Sequence, residues 1–273
     1  MAGDTRPIGV FDSGMGGLTV LRALHARLPQ ENLVYLGDTA RLPYGTKSAE
    51  TVTAYSLQAT KLLMQYDIKM VVIACNTASS VALDPLARAL APLPVIGVVE
   101  PGAQAGCAAT RNGHIAVIAT ESTVRGGAYE RAIHACRADA RVTQVPCALF
   151  VALAEEGWTD GPIAQGAAHR YLDPLFAVSS EKPDTLVLGC THFPVLRPAI
   201  AAVAGPDVTL VDSAETTADA VAQALEAQNM TNDASRPGKA RFLATDSPER
   251  FARVGSLFFG IAIPAESVDA VDL

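Results

Sequence analysis

The sequence predicts an α/β fold in which mostly parallel sheets carry helices on both faces. Short apolar segments alternate with longer helical patterns along the chain, an arrangement typical of doubly wound sheets. Residues 70–74 (Met-Val-Val-Ile-Ala) are continuously apolar, which favours a strand buried on both sides. Hydrophobic residues make up 49% of the 273 residues, so the chain can build a sizeable core and wholesale disorder is excluded.

The predicted strands are short apolar segments, and the predicted helices lie between most of them. Strands are expected at residues 8–11, 33–36, 70–74, 95–98, 114–118, 141–145, 185–188, 208–211 and 240–243. Helices are expected at residues 18–28, 50–65, 79–90, 125–136, 194–204 and 216–228. Ligand sites of parallel sheets lie beyond the carboxyl ends of the strands, so the loops after the strands are where we look for chemistry.

Composition argues against several classes of protein. Lys and Arg number 21 and Asp and Glu 28, and the net charge of −7 does not fit a basic nucleic-acid-binding surface. No apolar stretch reaches the roughly 20 residues of a membrane span, and no signal-peptide core follows the N-terminus. We therefore expect a soluble, cytoplasmic protein. The five cysteines lack CxxC and zinc-ligand spacing, which predicts reduced thiols and no metal site.

Four strand-end loops stand out, and two of them are alike. The loops are residues 11–17, 36–45, 74–78 and 188–194. Cys75 and Cys190 each follow an apolar strand and precede a helix, which predicts a weak internal duplication with one cysteine in each half. The remaining cysteines lack such loops and are interpreted as structural: Cys107, Cys136 and Cys147. The polar residues 229–239 are the best candidate for a flexible connection.

Two cysteines in matching loops suit the inversion of a carbon centre. A free thiol is only a few per cent ionised at neutral pH, but a helix N-terminus or a nearby cation lowers its pKa. Inversion needs a base on one face of the carbon and an acid on the other, and the two exchange roles in the reverse direction. The hypothesis from Cys75 and Cys190 is therefore stereoinversion at an acidic carbon.

The residues around the two cysteines indicate a small polar substrate. Short neutral donors and acceptors are offered by Ser13, Asn76, Thr77 and Thr191. The backbone N–H groups of Gly14, Gly16 and Gly17 are expected to bind a carboxylate. A nucleotide is disfavoured, because Thr19 stands where a GxGxxG motif has its third glycine and no P-loop Lys-Ser/Thr pair occurs. The role of Asp38 stays open.

Five motifs together identify a family resemblance. They are residues 12–19 (Asp-Ser-Gly-Met-Gly-Gly-Leu-Thr), 37–45 (Gly-Asp-Thr-Ala-Arg-Leu-Pro-Tyr-Gly), 74–79 (Ala-Cys-Asn-Thr-Ala-Ser), 189–194 (Gly-Cys-Thr-His-Phe-Pro) and 211–214 (Val-Asp-Ser-Ala). They resemble the cofactor-independent aspartate/glutamate racemase family, and its glutamate racemases in particular. The motifs keep the family's order, cover the chain nearly end to end and include both cysteines, so together they are specific.

The resemblance implies that the chain interconverts L- and D-glutamate, which supplies peptidoglycan, with neither pyridoxal phosphate nor metal. Cys75 and Cys190 match the two catalytic acid/base thiols, Asp12 the carboxylate beside the first and His192 the imidazole beside the second. The family's further acidic residue is placed at Glu155, although the adjacent Glu156 leaves the register open. The implied substrate-binding pairs are Asp12-Ser13, Tyr44-Gly45, Asn76-Thr77 and Thr191-His192.

The resemblance also implies an architecture and partners. Two pseudo-symmetric α/β domains are expected, one of residues 1–97 plus 212–273 and the other of residues 98–211, with the site in the cleft between them. A homodimer is expected, with glutamate as the small-molecule substrate and no contact with nucleic acid or membrane. The resemblance permits an interaction with DNA gyrase, but no residue of this sequence points to one.

Three other functions stay open at this stage. An aspartate racemase would use the same chemistry on a shorter substrate, although such proteins typically lack the Asp-Ser-Gly and Thr-His-Phe-Pro motifs seen here. A thiol redox protein would form a reversible Cys75–Cys190 disulfide, although redox cysteines usually stand close in sequence. A pure binding protein would need neither cysteine, and activity of the purified chain without cofactor would exclude it.

Overall fold

The strands form two separate sheets in the computed structural model, which describes residues 3–177 and 182–273. The first sheet has the order β10-β9-β2-β1-β3-β4, and the second has the order β6-β5-β7-β8. The strands of the first sheet are β1 (Ile8–Asp12), β2 (Leu33–Gly37), β3 (Met70–Ile73), β4 (Val95–Gly97), β9 (Ala240–Ala244) and β10 (Val268–Ala270). Those of the second are β5 (His114–Ala119), β6 (Arg141–Pro146), β7 (Thr185–Gly189) and β8 (Thr209–Asp212).

Helices connect the strands. They are α1 (Leu18–Arg27), α2 (Ala49–Leu63), α3 (Asn76–Val81), α4 (Leu83–Leu90), α5 (Val99–Ala109), α6 (Glu121–Gly126), α7 (Ala128–Cys136), α8 (Ala148–Glu155), α9 (Gly161–Phe176), α10 (Arg197–Ala204), α11 (Ser213–Ala227) and α12 (Pro248–Phe259). Each pair of neighbouring strands in the described residues is parallel. The predicted α/β fold with two parallel-sheet units is confirmed.

Helices cover both faces of the first sheet, as the apolar strands predicted. Val10 and Phe11 of β1 are both fully buried, and they belong to different hydrophobic clusters. Val10 shares its cluster with Leu21 of α1, whereas Phe11 shares its cluster with Leu63 of α2. Successive side chains of a strand point to opposite faces, so a strand covered on both sides must be apolar throughout.

The register brings the strand-end loops of each sheet to one edge. In the first sheet, Asp12 of β1 lies beside Gly37 of β2, and Phe11 lies beside Ile73 of β3. In the second sheet, Ala119 of β5 lies beside Gly189 of β7. The loops that begin after these residues carry most of the motifs singled out above.

Two of the predicted helices are each divided into two in the structure, one at a glycine and one at an alanine. The helix expected at residues 125–136 is divided into α6 and α7 by Gly127, whose φ of 62° caps α6 in the left-handed region. The helix expected at residues 79–90 begins earlier, at Asn76, and is divided at Ala82 into α3 and α4.

Several elements have no counterpart among the predicted ones: α5, α8, α9, α12 and β10. In α5, Pro101, Gly102 and Gly106 lower the helix propensity. Its glycines nevertheless serve packing, because a Cβ at Gly106 would lie 3.0 Å from Val187 Cγ2 of β7. Tertiary packing here outweighs local propensity.

The segment expected to be a flexible connection, residues 229–239, is anchored by a buried ion pair. Lys69 Nζ lies 2.6 Å from Glu31 Oε2, and both side chains are buried. Lys69 also donates to the carbonyls of Asp4 and Met230, and Asn232 N–H donates to Glu31 Oε1 at 2.7 Å. The segment forms neither helix nor strand, yet these bonds hold it against the first sheet.

The chain passes from the first sheet to the second after β4 and returns after β8. The proposed domain boundaries, after residue 97 and before residue 212, lie near these crossings and stay a prediction; residues 1 and 2 lie outside the described part of the chain. Within residues 3–177 and 182–273, none of the helices combines the length and the apolar character that a membrane crossing requires.

Candidate active site

A cavity of about 300 Å³ lies where loops of the two sheets meet. It is lined by Ser13, Leu42, Pro43, Tyr44, Gly45, Thr46, Cys75, Asn76, Thr77, Thr120, Glu121, Ala148, Val151, Ala152, Glu155, Cys190, Thr191 and His192. Cys75 follows β3 of the first sheet and Cys190 follows β7 of the second. The fold therefore brings to one cavity two thiols that are far apart in sequence. Asp12 is the predicted site residue that does not line the cavity, because it is fully buried at the end of β1.

Cys75 sits at the start of α3 and is protonated at neutral pH. Its Sγ accepts the Ala78 N–H at 3.5 Å and lies 3.5 Å from Ser13 Oγ. Burial, reinforced by the nearby charge of Asp12, raises the pKa of the Cys75 thiol to about 12. Desolvation thus outweighs the hydrogen bonds from Ala78 and Ser13, which favour the thiolate.

Asp12 binds the backbone of the glycine-rich loop that follows it. Its Oδ2 accepts the Gly14 N–H at 2.9 Å. The expectation that the Gly14 N–H binds a substrate carboxylate is therefore wrong, since this donor bonds to Asp12, and the same expectation for Gly16 and Gly17 stays a prediction. Asp12 Oδ1 is buried without a hydrogen-bond partner among the described residues. Burial raises the pKa of this carboxyl group, against the opposing effects of His192 and the loop donors.

The second thiol faces a histidine–glutamate pair. Cys190 Sγ lies 3.8 Å from His192 Nδ1, and His192 Nε2 lies 3.3 Å from Glu155 Oε1. Burial alone would lower the pKa of His192, but the bonds to Cys190 and Glu155 outweigh it and raise the pKa to about 10. Burial would raise the pKa of Glu155, but its contacts with His192 and Arg250 outweigh burial and lower it. Cys190 thus stands beside an imidazolium.

Of the two adjacent glutamates, Glu155 and Glu156, the one that contacts His192 is Glu155. Glu155 ends α8, lines the cavity and contacts His192. Glu156 is the next residue, the C-cap of α8, and its side chain is exposed. Residues one apart on a helix point in different directions, so only one of the two can meet His192.

Hydroxyl and amide groups form a polar wall. Asn76 Nδ2 donates to Tyr129 Oη at 2.7 Å, while Asn76 Oδ1 is buried with no hydrogen-bond partner in the described residues. Thr77 Oγ1 lies 3.0 Å from Thr120 Oγ1, which follows β5. Sequence reasoning missed Thr120 and its neighbour Glu121, although both follow a predicted strand, residues 114–118, and the strand-end rule would have found them.

Asp38, whose role was open, supports the Tyr44 loop. The Tyr44 hydroxyl donates to Asp38 Oδ2, and Arg41 Nε donates to the same oxygen at 2.7 Å. Thr245 Oγ1, after β9, donates to Asp38 Oδ1 at 3.1 Å. Burial and the Asp38 charge raise the pKa of Tyr44 far above its usual range. Asp38 is fully buried behind the cavity, so it holds Tyr44 in place and does not line the cavity itself.

The loops of the two sheets touch directly at Gly16. A Cβ at this position would lie 2.6 Å from Thr191 Oγ1 and 2.5 Å from His192 Cε1. Thr19 Oγ1 also donates to the Thr191 carbonyl at 3.1 Å. The glycine is therefore required by the close approach of the two loops.

The remaining cysteines do not line the cavity, and all five thiols are unpaired. Cys147 is buried, Cys107 is half-buried and Cys136 is exposed. Residues 3–177 and 182–273 contain no group of three or more His, Cys, Asp and Glu side chains arranged to hold a metal ion. The chemistry that the cavity offers is proton transfer by two thiols, each with its own ionisable neighbour.

Comparison with known proteins agrees with this geometry. Residues 16–221 match the model of the family described as Asp/Glu/Hydantoin racemase. A protein named glutamate racemase from Syntrophus aciditrophicus is 48% identical over 261 residues, 96% of this chain and 95% of its own. The crystal structure of glutamate racemase from Francisella tularensis, solved with D-glutamate, matches with a TM-score of 0.90 and 36% identity, covering 98% of each chain.

Aspartate racemases are more distant. The structure of the Picrophilus torridus aspartate racemase has a TM-score of 0.55 and 16% identity, covering 82% of this chain and 99% of that protein. A likeness of this size shows a shared fold alone.

Proposed function

The chain belongs to the Asp/Glu/Hydantoin racemase family, and we infer that it is an isomerase that interconverts L- and D-glutamate. The observation that carries this inference is the pair of thiols, Cys75 and Cys190, brought to one cavity from the loops of two sheets. The near full-length similarity to proteins named glutamate racemase supports the substrate. The D-glutamate supplies peptidoglycan biosynthesis, and thereby the cell wall and cell shape.

Cys75 and Cys190 act as the two bases. For one enantiomer, a thiolate removes the Cα proton while the other thiol delivers a proton to the opposite face of the carbon. The reverse reaction exchanges the two roles. Burial raises the pKa of Cys75, and Cys190 lies 3.8 Å from the ring of His192, whose own pKa is raised. The two thiols therefore have different ionisable neighbours, a carboxyl group for Cys75 and an imidazole for Cys190.

Asp12 and His192 assist the two thiols. Asp12 has a raised pKa and an unpartnered carboxylate oxygen, so it is suited to take up the proton of Cys75 when that thiol must act as the base. His192 is suited to donate a proton toward Cys190, and Glu155 keeps the imidazole charged. The proposed catalytic residues are therefore Cys75, Cys190, Asp12, His192 and Glu155.

Glutamate is held mainly by neutral groups. The substrate-binding set is Asp12, Ser13, Tyr44, Gly45, Asn76, Thr77, Thr191 and His192, and all but Asp12 line the cavity. Asn76 Oδ1, which has no hydrogen-bond partner among the residues that the structure describes, is an acceptor that suits an ammonium group. Asp12 contributes indirectly, because its carboxylate accepts the Gly14 N–H and so holds in place the loop that carries Ser13.

The test follows L-glutamate by circular dichroism in buffered D₂O, with a metal chelator and no added cofactor. Wild type is expected to lose the optical signal while deuterium enters Cα. Cys75→Ser and Cys190→Ser are each expected to lower kcat by about 10²- to 10⁴-fold, because each removes one acid/base group. Cys136→Ser, an exposed thiol away from the cavity, is the matched control and should keep full activity. Folded wild-type protein that leaves L-glutamate unchanged would refute the function.

The same assay separates the other functions. Racemisation of L-aspartate in place of L-glutamate would keep the mechanism and overturn the substrate. A reversible Cys75–Cys190 disulfide in active protein, found by mass spectrometry under non-reducing conditions, would favour redox chemistry. Activity of the purified chain excludes a purely binding role.

We further propose that the enzyme works in the cytoplasm as a homodimer, on the strength of the family resemblance. Sedimentation equilibrium at several protein concentrations tests the dimer, and a mass of one chain throughout, 28.4 kDa, would refute it. No described residue supports an interaction with DNA gyrase, and none is proposed.

A further inference from the structure

Helix α12 reaches from the first sheet to the histidine–glutamate pair. It packs on α1 and β10, which belong to the first sheet and its helices. Arg250 Nη2 of α12 donates to Glu155 Oε2 at 2.8 Å, and Phe258 of α12 packs edge-on against the His192 ring with the centroids 5.2 Å apart. Glu155 ends α8, which packs on α9 and on the short helix Phe193–Leu196 of the second sheet. The Arg250–Glu155 ion pair therefore joins the two halves beside the cavity.

The two oxygens of Glu155 have different partners. Oε2 bonds to Arg250, and Oε1 faces His192 Nε2 at 3.3 Å. A carboxylate is planar, so a bond that holds one oxygen also sets the direction in which the other points. A glutamate side chain at the end of a helix has several rotamers, and only an orientation that meets both partners places Oε1 against the imidazole.

We propose that Arg250 is a positioning residue for proton transfer at Cys190, because its guanidinium holds Glu155 in the orientation that aligns His192 with the thiol. The chain of contacts runs from Arg250 to Glu155, then to His192 and then to Cys190. Arg250 is not among the described residues that line the cavity, so it acts on the reaction through Glu155 without touching substrate. The proposal rests on the proposed function.

A purely structural role makes a different prediction. The Arg250 side chain is 39% exposed, and ion pairs of this kind contribute little to the free energy of unfolding because solvent screens them. Loss of Arg250 should therefore leave the unfolding midpoint nearly unchanged. A change in rate without a change in stability would separate positioning from support of the fold.

The first experiment measures kcat and KM for both enantiomers in Arg250→Met, Arg250→Lys and a matched control. The control is Arg253→Met, because Arg253 is exposed on the same helix and makes no ion pair with a residue that the structure describes. Arg250→Met should lower kcat by about 10- to 100-fold with KM within about threefold, since a misaligned acid/base group slows the chemical step. Arg250→Lys should recover much of the loss, and Arg253→Met should match wild type. An unchanged kcat in Arg250→Met would overturn the proposal.

A double-mutant cycle with Glu155→Gln tests whether Arg250 acts through Glu155. If it does, Arg250→Met/Glu155→Gln should be no slower than Glu155→Gln, within about twofold. Independent action would make the two losses multiply, and that result would overturn the proposal even if Arg250→Met alone is slow.

A measurement that needs no catalytic turnover tests the positioning role of Arg250 separately from the proposed function. The ring nitrogens of His192 are followed by ¹⁵N NMR and assigned with His192→Gln. Arg250→Met should shift these signals, and Arg253→Met should leave them in place. An inactive wild type would refute glutamate racemisation, while His192 signals that are identical in wild type and Arg250→Met would refute the positioning role.

Discussion

At the scale of single residues, the two thiols have unlike surroundings despite their matching loops. Cys75 is close to Asp12, a buried carboxyl group whose pKa is itself raised, and it keeps its proton. Cys190 is close to His192, whose pKa is raised by its bonds to Cys190 and Glu155 in spite of burial. One loop thus places a buried carboxyl group beside its cysteine and the other an imidazole, so the site is chemically asymmetric.

Gly16→Ala should remove most of the activity. The added Cβ would lie 2.6 Å from Thr191 Oγ1 and close to the His192 ring, so the loop that carries Cys190 must move. A displacement of about 1 Å in a catalytic group can cost about 10²-fold in rate, and a loss of kcat of that size is expected. Gly166→Ala, where a Cβ meets nothing within 4 Å, is the control and should be fully active. An active Gly16→Ala enzyme would show that the two loops separate during turnover.

The pH dependence of stability should report His192. Its folded-state pKa of about 10 lies above the ordinary value of 6.5, since the facing groups Cys190, Glu155 and Asp12 favour the cation against the effect of burial. The charged imidazole therefore stabilises the fold fully below about pH 6.5, and the contribution is lost as the pH rises toward 10.

Urea unfolding of wild type and His192→Gln at about pH 6 and about pH 9 measures this contribution. The difference in unfolding free energy between the two proteins should shrink by more than about 1 kcal/mol at the higher pH, because one pKa unit corresponds to about 1.4 kcal/mol. A difference that stays constant between the two pH values would mean that His192 is not held as a cation in the fold.

At the scale of elements, the strands were predicted well and some helices were not. The central strands β1, β3 and β7 are mostly apolar, fully buried and followed by polar motifs, so their local composition is sufficient to predict them. Helix α12 carries apolar residues at helical spacing, including Phe251, Val254 and Phe258, and this periodicity could have identified it. Strand β10 has three residues at the edge of the sheet, which is too short for any pattern.

The buried ion pair between Lys69 and Glu31, which anchors residues 229–239, is expected to contribute to the stability of the fold. Lys69→Met should lower the free energy of unfolding by about 3–5 kcal/mol, because it leaves Glu31 charged and buried without its partner. Arg27→Met removes a pair in which both side chains are more than half exposed and should cost less than about 1 kcal/mol. Lys69→Met/Glu31→Leu should recover part of the loss. Equal effects of Lys69→Met and Arg27→Met in urea unfolding would contradict this account.

At the scale of the whole molecule, the cavity forms where strand-end loops of one parallel sheet meet strand-end loops of the other. Each sheet alone would leave its cysteine on an open edge. Together they bury Cys75 to 4% and Cys190 to 5% exposure, and they enclose about 300 Å³ between them. Burial raises the pKa of Cys75 and Asp12, whereas contacts between buried partners set the pKa of His192 and Glu155 against the effect of burial.

Thiol labelling should rank the five cysteines by their burial. Exposed Cys136 should react first with a disulfide reagent at about pH 8, half-buried Cys107 next, and the buried Cys75, Cys147 and Cys190 slowest. Saturating glutamate should slow labelling of Cys75 and Cys190 further and leave Cys136 unchanged, as read by peptide mass spectrometry. In urea all five should react. Protection of Cys136 by glutamate would contradict the placement of the substrate.

The sequence by itself determined the fold class, the strand-end loops and the two cysteines, because strand composition and motif spacing are local properties. The tertiary structure alone decided that Glu155 meets His192, that the Gly14 N–H bonds to Asp12, and that Arg250 pairs with Glu155. The contacts responsible join residues 37 and 95 positions apart, from Glu155 to His192 and from Glu155 to Arg250. Burial and charge at such contacts also set the pKa of Cys75 and His192, and no local pattern encodes them.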